Sequence, residues 1–200
     1  MSPSIPHVAI QSALVALALC APLPAAAAIV SFTGVEMNDT PPPAPSALCS
    51  PGQVRVAFSP GTATVSGSSN FGAFAPSLAH CLTLPPTSYT GGAFDFAFAA
   101  GDDLFGTYSG FFTPSGVANV LNNTVDFIVT GGTGRFLGAS GAFQGVGTLD
   151  RNFARPLNRS VFSGSLDLPA VPEPAAWMSM ILGFGLAGAA LRRRPITLAG

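Results

Sequence analysis

The chain has 200 residues, of which 48% are hydrophobic and 8% are charged, and its formal net charge is −1. Eight acids between residues 29 and 170 outnumber the five arginines there, and the chain has no lysine, so the sequence lacks the basic stripe that nucleic-acid binding needs. Few charges together with many Gly and Phe residues favour a β-rich exported protein with one domain.

A secretory signal peptide is predicted at residues 1–28. An apolar stretch that starts at Ala9 ends in four alanines at 25–28, and small residues after an apolar core are typical of a cleavage site. We expect an N-terminal signal helix that is removed just before Ala28 or Ile29. Export across the inner membrane by the secretion machinery would follow.

A linker is predicted at residues 29–48, because the prolines at 41–43 and 45 favour an extended and poorly packed chain. The domain that follows is expected at 49–169. It contains two cysteines, Cys49 and Cys81, and an even pair in an oxidising compartment favours one disulfide bond. Two unpaired thiols are the alternative.

Period-two alternation predicts most strands of this domain. The clearest case places Phe94, Phe96 and Phe98 on one face. A turn at 100–103 and a second alternating run at 104–112 complete a β-hairpin. Residues 71–86 show no period and are expected to be irregular. The other predicted strands cover 53–58, 62–69, 125–129, 142–150 and 161–168.

These elements predict an all-β fold. Short strands separated by turn signals indicate an antiparallel β-barrel of about eight strands, flanked by an N-terminal signal helix and a C-terminal transmembrane helix. Glycines within the strands favour a closed barrel, because tight curvature needs positions without side chains. We expect phenylalanine and leucine to fill the interior.

A glycine-rich turn joins two of these strands. The run T-G-G-T-G-R-F-L-G-A-S-G at 130–141, with T-Y-S-G at 107–110, resembles the eight-stranded calycin-like barrels of the dirigent and allene oxide cyclase families. The resemblance implies a tight turn with Arg135 and Phe136 entering the next strand, and it brings no catalytic residue of those enzymes. The glycines of this barrel turn motif are Gly131, Gly132, Gly134 and Gly138.

No residue set in the sequence predicts catalysis, a metal site or a cofactor. His80 is the one histidine after the signal peptide, and a lone histidine is most often structural. Asp102 and Asp103 suit a turn, with weak calcium binding as the alternative. Three side chains either line a barrel mouth or serve core packing and turn anchoring: Tyr89, Tyr108 and Arg135.

The C-terminal segment 170–194 has three ordered parts. A Pro-Glu-Pro motif precedes an uncharged run of 17 residues, and three arginines follow the run. At ~1.5 Å per helical residue the run spans roughly 25 Å, slightly less than the ~30 Å hydrocarbon core of a bilayer. We predict a transmembrane helix here with its arginines in the cytoplasm, followed by a short tail at 195–200.

This pattern resembles the PEP-CTERM sorting signal of bacterial exported proteins. The resemblance implies that exosortase, an integral-membrane cysteine transpeptidase, recognises the motif and removes the helix. An ordinary C-terminal membrane anchor is the alternative. The residues that carry the sorting motif are Pro172, Glu173, Pro174, Trp177, Arg192, Arg193 and Arg194.

The sequence thus predicts an exported, non-catalytic protein of the cell envelope or extracellular matrix that its tail anchors transiently in the membrane. Its expected partners are the secretion machinery and exosortase, and then extracellular polysaccharide or a small apolar ligand. The alternative functions are a calycin-like barrel that binds such a ligand, and a cyclase or isomerase that acts in its cavity. An open apolar cavity of several hundred Å³ would favour these alternatives.

Overall fold

The computed structural model describes residues 27–169 and 174–192. The chain divides into two units, which are considered separately: Ala27–Pro169 is all-β, and the described part of the other unit is a helix. The predicted signal helix falls on residues 1–26, outside the described residues.

The β unit is a closed antiparallel barrel. Each strand pairs antiparallel with its neighbours, and β4 pairs with β5 as well as with β3, which closes the ring in the order β4-β3-β1-β9-β8-β7-β6-β5. The prediction of an all-β antiparallel barrel of about eight strands is therefore confirmed. The strands are β1 (Ala28–Asp39), β2 (Gln53–Phe58), β3 (Val65–Ser69), β4 (Gly72–Thr83), β5 (Ser88–Phe98), β6 (Asp103–Pro114), β7 (Val120–Gly132), β8 (Ser140–Asp150) and β9 (Leu157–Leu168).

Nine strands fill eight positions in the ring, because β2 and β3 follow one another along the same edge of β4. β3 pairs with residues 72–74 of β4, and β2 pairs with residues 78–83. The other edge of β4 is taken by β5.

The first strand lies where a linker was predicted. β1 pairs with β9 along its whole length, so the barrel begins at Ala28 rather than at residue 49. Its alternation is hidden in the sequence because two inward positions are polar: Glu36 and Asn38 are both buried. A pattern search that equates inward with hydrophobic does not find such a strand.

A strand also replaces the irregular region expected at 71–86. β4 contains Pro76, which pairs with Phe96, and its register against β5 shifts after Ala79. A proline and a bulge both interrupt the period of two, and the neighbouring strands nevertheless hold the segment extended.

Phenylalanine fills much of the barrel interior, as expected from the sequence. The three alternating phenylalanines of β5 are all buried. The ring centroids of Phe74 and Phe96 are 4.5 Å apart, and those of Phe127 and Phe143 are 4.6 Å apart. A Cβ atom at Gly67 would overlap the Phe74 ring, so glycine provides the space for this packing.

The two ends of the barrel differ. At one end Ala28 pairs with Leu168, so the chain enters and leaves the barrel side by side. We call this the terminal end. At the other end Asn38 pairs with Asn158. We call it the cavity end.

The second unit contains α1 (Pro174–Arg192), so the predicted C-terminal helix is confirmed as a helix. Its prediction as a transmembrane helix is not supported. In residues 27–169 and 174–192, no helix is both long and apolar enough to cross a membrane.

Candidate functional site

The glycine-rich turn lies at the terminal end of the barrel. Gly134–Phe136 forms a short 3-10 helix between β7 and β8, so the prediction that Arg135 and Phe136 enter the next strand is wrong. Gly134 has φ 55° and Gly138 has φ 73°, values that glycine adopts without steric cost. The chain reverses direction through these residues, and strand pairing resumes only in β8.

Arg135 belongs to this turn and not to a mouth shared with Tyr89 and Tyr108. Its Nε lies 3.1 Å from Asp102 Oδ2, and its backbone N–H donates to Asp102 Oδ1 at 3.1 Å. Its guanidinium lies 4.9 Å from the ring centroid of Phe136, which is completely buried. Arg135 therefore holds the turn over the aromatic core.

The other candidate site residues predicted in this domain also have structural roles. Cys49 and Cys81 form a disulfide, which joins the segment before β2 to β4. Asp103 Oδ2 accepts a hydrogen bond from Thr133 Oγ1 at 3.1 Å, so both aspartates of the pair serve the turn. Within the described residues, no group of three or more His, Cys, Asp or Glu side chains is placed to hold a metal ion.

The cavity end encloses a chamber of about 60 Å³. Pockets for drug-sized ligands hold roughly 300–1,000 Å³, so the described barrel interior does not offer the large apolar cavity that the apolar-ligand and cyclase hypotheses need. The surface that faces this small space is almost wholly apolar, although several polar residues belong to its wall. The polar residues that line it are Glu36, Asn38, Thr40, His80, Tyr89, Tyr108, Asn123, Asn158 and Ser160.

Glu36 and Asn38 project into the chamber from β1 and are 4% and 1% exposed. Asn38 Nδ2 donates to Glu36 Oε1 at 2.6 Å. Burial raises the pKa of Glu36 to about 7, although the hydrogen bond from Asn38 acts in the opposite direction. Asn38 Oδ1 is buried and has no hydrogen-bond partner. Such an atom is costly to leave unpaired, so its presence here calls for an explanation.

A chain of hydrogen bonds runs along the chamber wall. Tyr89 Oη donates to Asn123 Oδ1 at 2.7 Å, and Asn123 Nδ2 donates to Asn158 Oδ1 at 2.9 Å. Asn158 Nδ2 reaches Ser160 Oγ at 3.5 Å. Burial is the main cause that raises the pKa of Tyr89, so its hydroxyl remains a donor at neutral pH.

His80 and Tyr108 form a second pair in the wall. His80 Nδ1 lies 2.7 Å from Tyr108 Oη, and His80 is half-buried. Burial lowers the pKa of His80 to about 4 and raises the pKa of Tyr108 well above its usual value. Both side chains are therefore neutral at pH 7. Tyr89 and Tyr108 line the chamber, whereas Arg135 does not.

Sequence reasoning missed most of this cluster. Glu36 and Asn38 fall in the predicted linker, and Asn123 and Asn158 fall just outside the predicted strands at 125–129 and 161–168. Extending the strand patterns at 125–129 and 161–168 backwards by period two would have placed Asn123 and Asn158 on the inward face. That extension is the signal the sequence contains.

The sorting residues belong to the second unit. α1 begins at Pro174 and ends at Arg192. Four of the predicted motif residues lie outside the described residues: Pro172, Glu173, Arg193 and Arg194.

Comparison with known proteins identifies one segment of the chain. The PEP-CTERM protein-sorting motif matches residues 170–194. No curated protein and no solved structure matches the chain. The match supports the predicted sorting signal, and the dirigent or calycin-like assignment of the barrel stays a prediction.

Proposed function

We propose that the chain is an exported substrate of exosortase, sorted to the cell envelope through its C-terminal motif, and that the barrel is its working part. The match of the PEP-CTERM protein-sorting motif to residues 170–194 carries this proposal. The predicted signal peptide at 1–28 supplies the route out of the cytoplasm.

The boundaries of the barrel suit the removal of both ends. The compact unit Ala27–Pro169 begins at the predicted cleavage site and ends directly before the matched motif. All nine strands lie within it. Because Ala28 pairs with Leu168, cleavage before the one and after the other would leave the β1–β9 pairing whole.

In this proposal the tail anchors the protein only while the motif is processed. The barrel then acts as a non-catalytic protein of the envelope or the extracellular matrix. The disulfide between Cys49 and Cys81 supports an oxidising location, since such bonds persist outside the cytoplasm and are rare inside it.

The test replaces Pro172, Glu173 and Pro174 together by alanine and compares the mature proteins from the producing cell by mass spectrometry. We expect the wild-type chain to lose its C-terminal segment and the triple variant to retain it. Thr197→Ala is the control, because it changes the tail outside the matched residues and should mature like the wild type. The proposal fails if the triple variant and the wild type end at the same C-terminal residue.

A further inference from the structure

A groove crosses the outer wall of the barrel near its cavity end. It has a volume of about 480 Å³ and runs over four neighbouring strands, β3, β1, β9 and β8. At ~4.8 Å between neighbouring strands, the groove is roughly 14 Å long. Ligand pockets commonly hold roughly 300–1,000 Å³, so this groove has room for a small elongated molecule.

The register of the sheet builds the groove from two adjacent rows of outward side chains. In one wall Val35 of β1, Val161 of β9 and Val146 of β8 pair in turn across the strands. In the other wall Met37 of β1 pairs with Arg159 of β9. Two outward serines of β3 continue these rows. The backbone between the rows forms the floor.

The apolar side chains on this part of the barrel wall are gathered in the groove. The three valines of the first wall are between 52% and 62% exposed. The adjacent row toward the terminal end is polar and consists of Thr33, Ser163 and Gln144. A single exposed valine needs no explanation, whereas a contiguous exposed row that borders a groove marks a binding surface.

The groove has one positive charge and no acid that faces it. Arg159 projects outward, and within the residues that the structure describes no carboxylate forms an ion pair with it. Glu36 belongs to the floor, but its side chain is buried on the inner face of the sheet with Asn38. An anion that enters the groove therefore meets an available guanidinium and no opposing carboxylate.

The floor of the groove excludes an added β-strand as the ligand. Its residues belong to strands that are paired on both sides, so their backbone groups are already used in the sheet. An extended peptide that binds by strand addition needs a free sheet edge. The groove instead favours a ligand that is held by apolar contacts and by one anionic end.

We propose that this groove binds a straight-chain carboxylate of the fatty-acid class. Its alkyl chain lies between the two rows and contacts Val35, Val161 and Met37, and its carboxylate pairs with the Arg159 guanidinium. An alcohol of the same length lacks this ion pair, and Arg159 repels an alkylammonium ion of that length. The site is on the barrel and is independent of the sorting function proposed for the tail.

The test titrates sodium octanoate, below its micelle concentration, into the full chain at pH 7. Valine and methionine methyl groups carry isotope labels, and their NMR signals distinguish binding in the groove from binding to the apolar helix α1. We expect saturable shifts of the methyl signals of Val35, Met37, Val146 and Val161. Octanol should bind at least threefold more weakly at these signals, and octyltrimethylammonium should bind more weakly than octanol.

Substitutions separate the charge from the apolar contacts. Arg159→Gln should weaken octanoate binding at least threefold and leave octanol binding unchanged, because only the carboxylate uses the guanidinium. Val161→Ser should weaken the binding of both. The matched controls are Arg151→Gln and Ile128→Ser, which change an exposed arginine and an exposed apolar residue outside the groove and should leave both affinities unchanged.

Four results would overturn the proposal. They are no saturable shift of the groove methyl signals with octanoate, equal affinity for octanol, and unchanged octanoate affinity in Arg159→Gln. The fourth is a shift of the same signals with protein concentration in the absence of ligand, which would assign the groove to contact with a second copy of the chain.

Discussion

The buried carboxyl of Glu36 makes the stability of the barrel depend on pH in an unusual direction. Burial raises its pKa from 4.5 to about 7, so between these values the folded chain binds a proton that the unfolded chain releases. The contribution of Glu36 to the free energy of unfolding therefore falls as pH rises from 4.5 to about 7 and then stays level. At ~1.4 kcal/mol per pKa unit, the loss amounts to about 3 kcal/mol.

His80 opposes this effect. Burial lowers its pKa from 6.5 to about 4, so the unfolded chain binds the proton that the folded chain excludes. The contribution of His80 is present above pH 6.5 and is lost as pH falls to about 4. Because the two slopes have opposite signs, His80 offsets part of the Glu36 effect between pH 4.5 and 6.5.

Two substitutions separate the contributions. Urea unfolding, followed by circular dichroism, gives the free energy of unfolding of the wild type, Glu36→Gln and His80→Gln at half-unit steps from pH 4 to pH 8. The wild-type value minus the Glu36→Gln value should fall by about 3 kcal/mol between pH 4.5 and 7. The wild-type value minus the His80→Gln value should rise with pH, by a smaller amount because His80 is only half-buried.

Differences between variants cancel the titration of every acid that the proteins share. A Glu36 difference that stays level from pH 4.5 to 7 would refute the burial argument, because an exposed or paired carboxyl gives no such fall. A difference that rises with pH would show that Glu36 has a favourable partner in the folded chain.

Three further predictions concern the barrel. In the same urea unfolding assay, Gly106→Val should lower the free energy of unfolding by about 2–3 kcal/mol, because a Cβ there would overlap a carbonyl of the neighbouring strand. Ser109 faces outward, so Ser109→Val should have little effect. Replacing Cys49 and Cys81 by serine should cost ~3–4 kcal/mol, given their separation of 32 residues, and reductant should then no longer change the stability. Arg135→Ala should cost about 1 kcal/mol or less, since its ion pair is partly exposed, and a larger loss would show that the turn is more tightly coupled to the core.

Local patterns predicted most of the strand segments whose inward residues are hydrophobic. The β5–β6 hairpin is the clearest, since the spacing of Phe94, Phe96 and Phe98 alone indicates that they share one face of a strand. The structure confirms both strands and the turn. β1 and β4 were missed because an inward glutamate and an inward proline interrupt that spacing. What holds them extended is pairing with β9 and β5, which the local sequence does not record.

The candidate site was still less visible, because its members come from different strands. Glu36, His80 and Asn123 belong to β1, β4 and β7, and only closure of the ring brings them to one chamber. Their raised and lowered pKa values follow from burial, and burial exists only once the barrel has closed.

By itself, the sequence determined the all-β class, the phenylalanine-rich interior and the sorting motif at 170–194, because each is written in contiguous residues or in a short period. The tertiary structure decided how nine strands occupy eight positions, that the chain enters and leaves at one end, and that polar side chains from several strands converge at the other. These features depend on pairings between residues far apart in the chain, such as Ala28 with Leu168, and no local pattern of side chains specifies them.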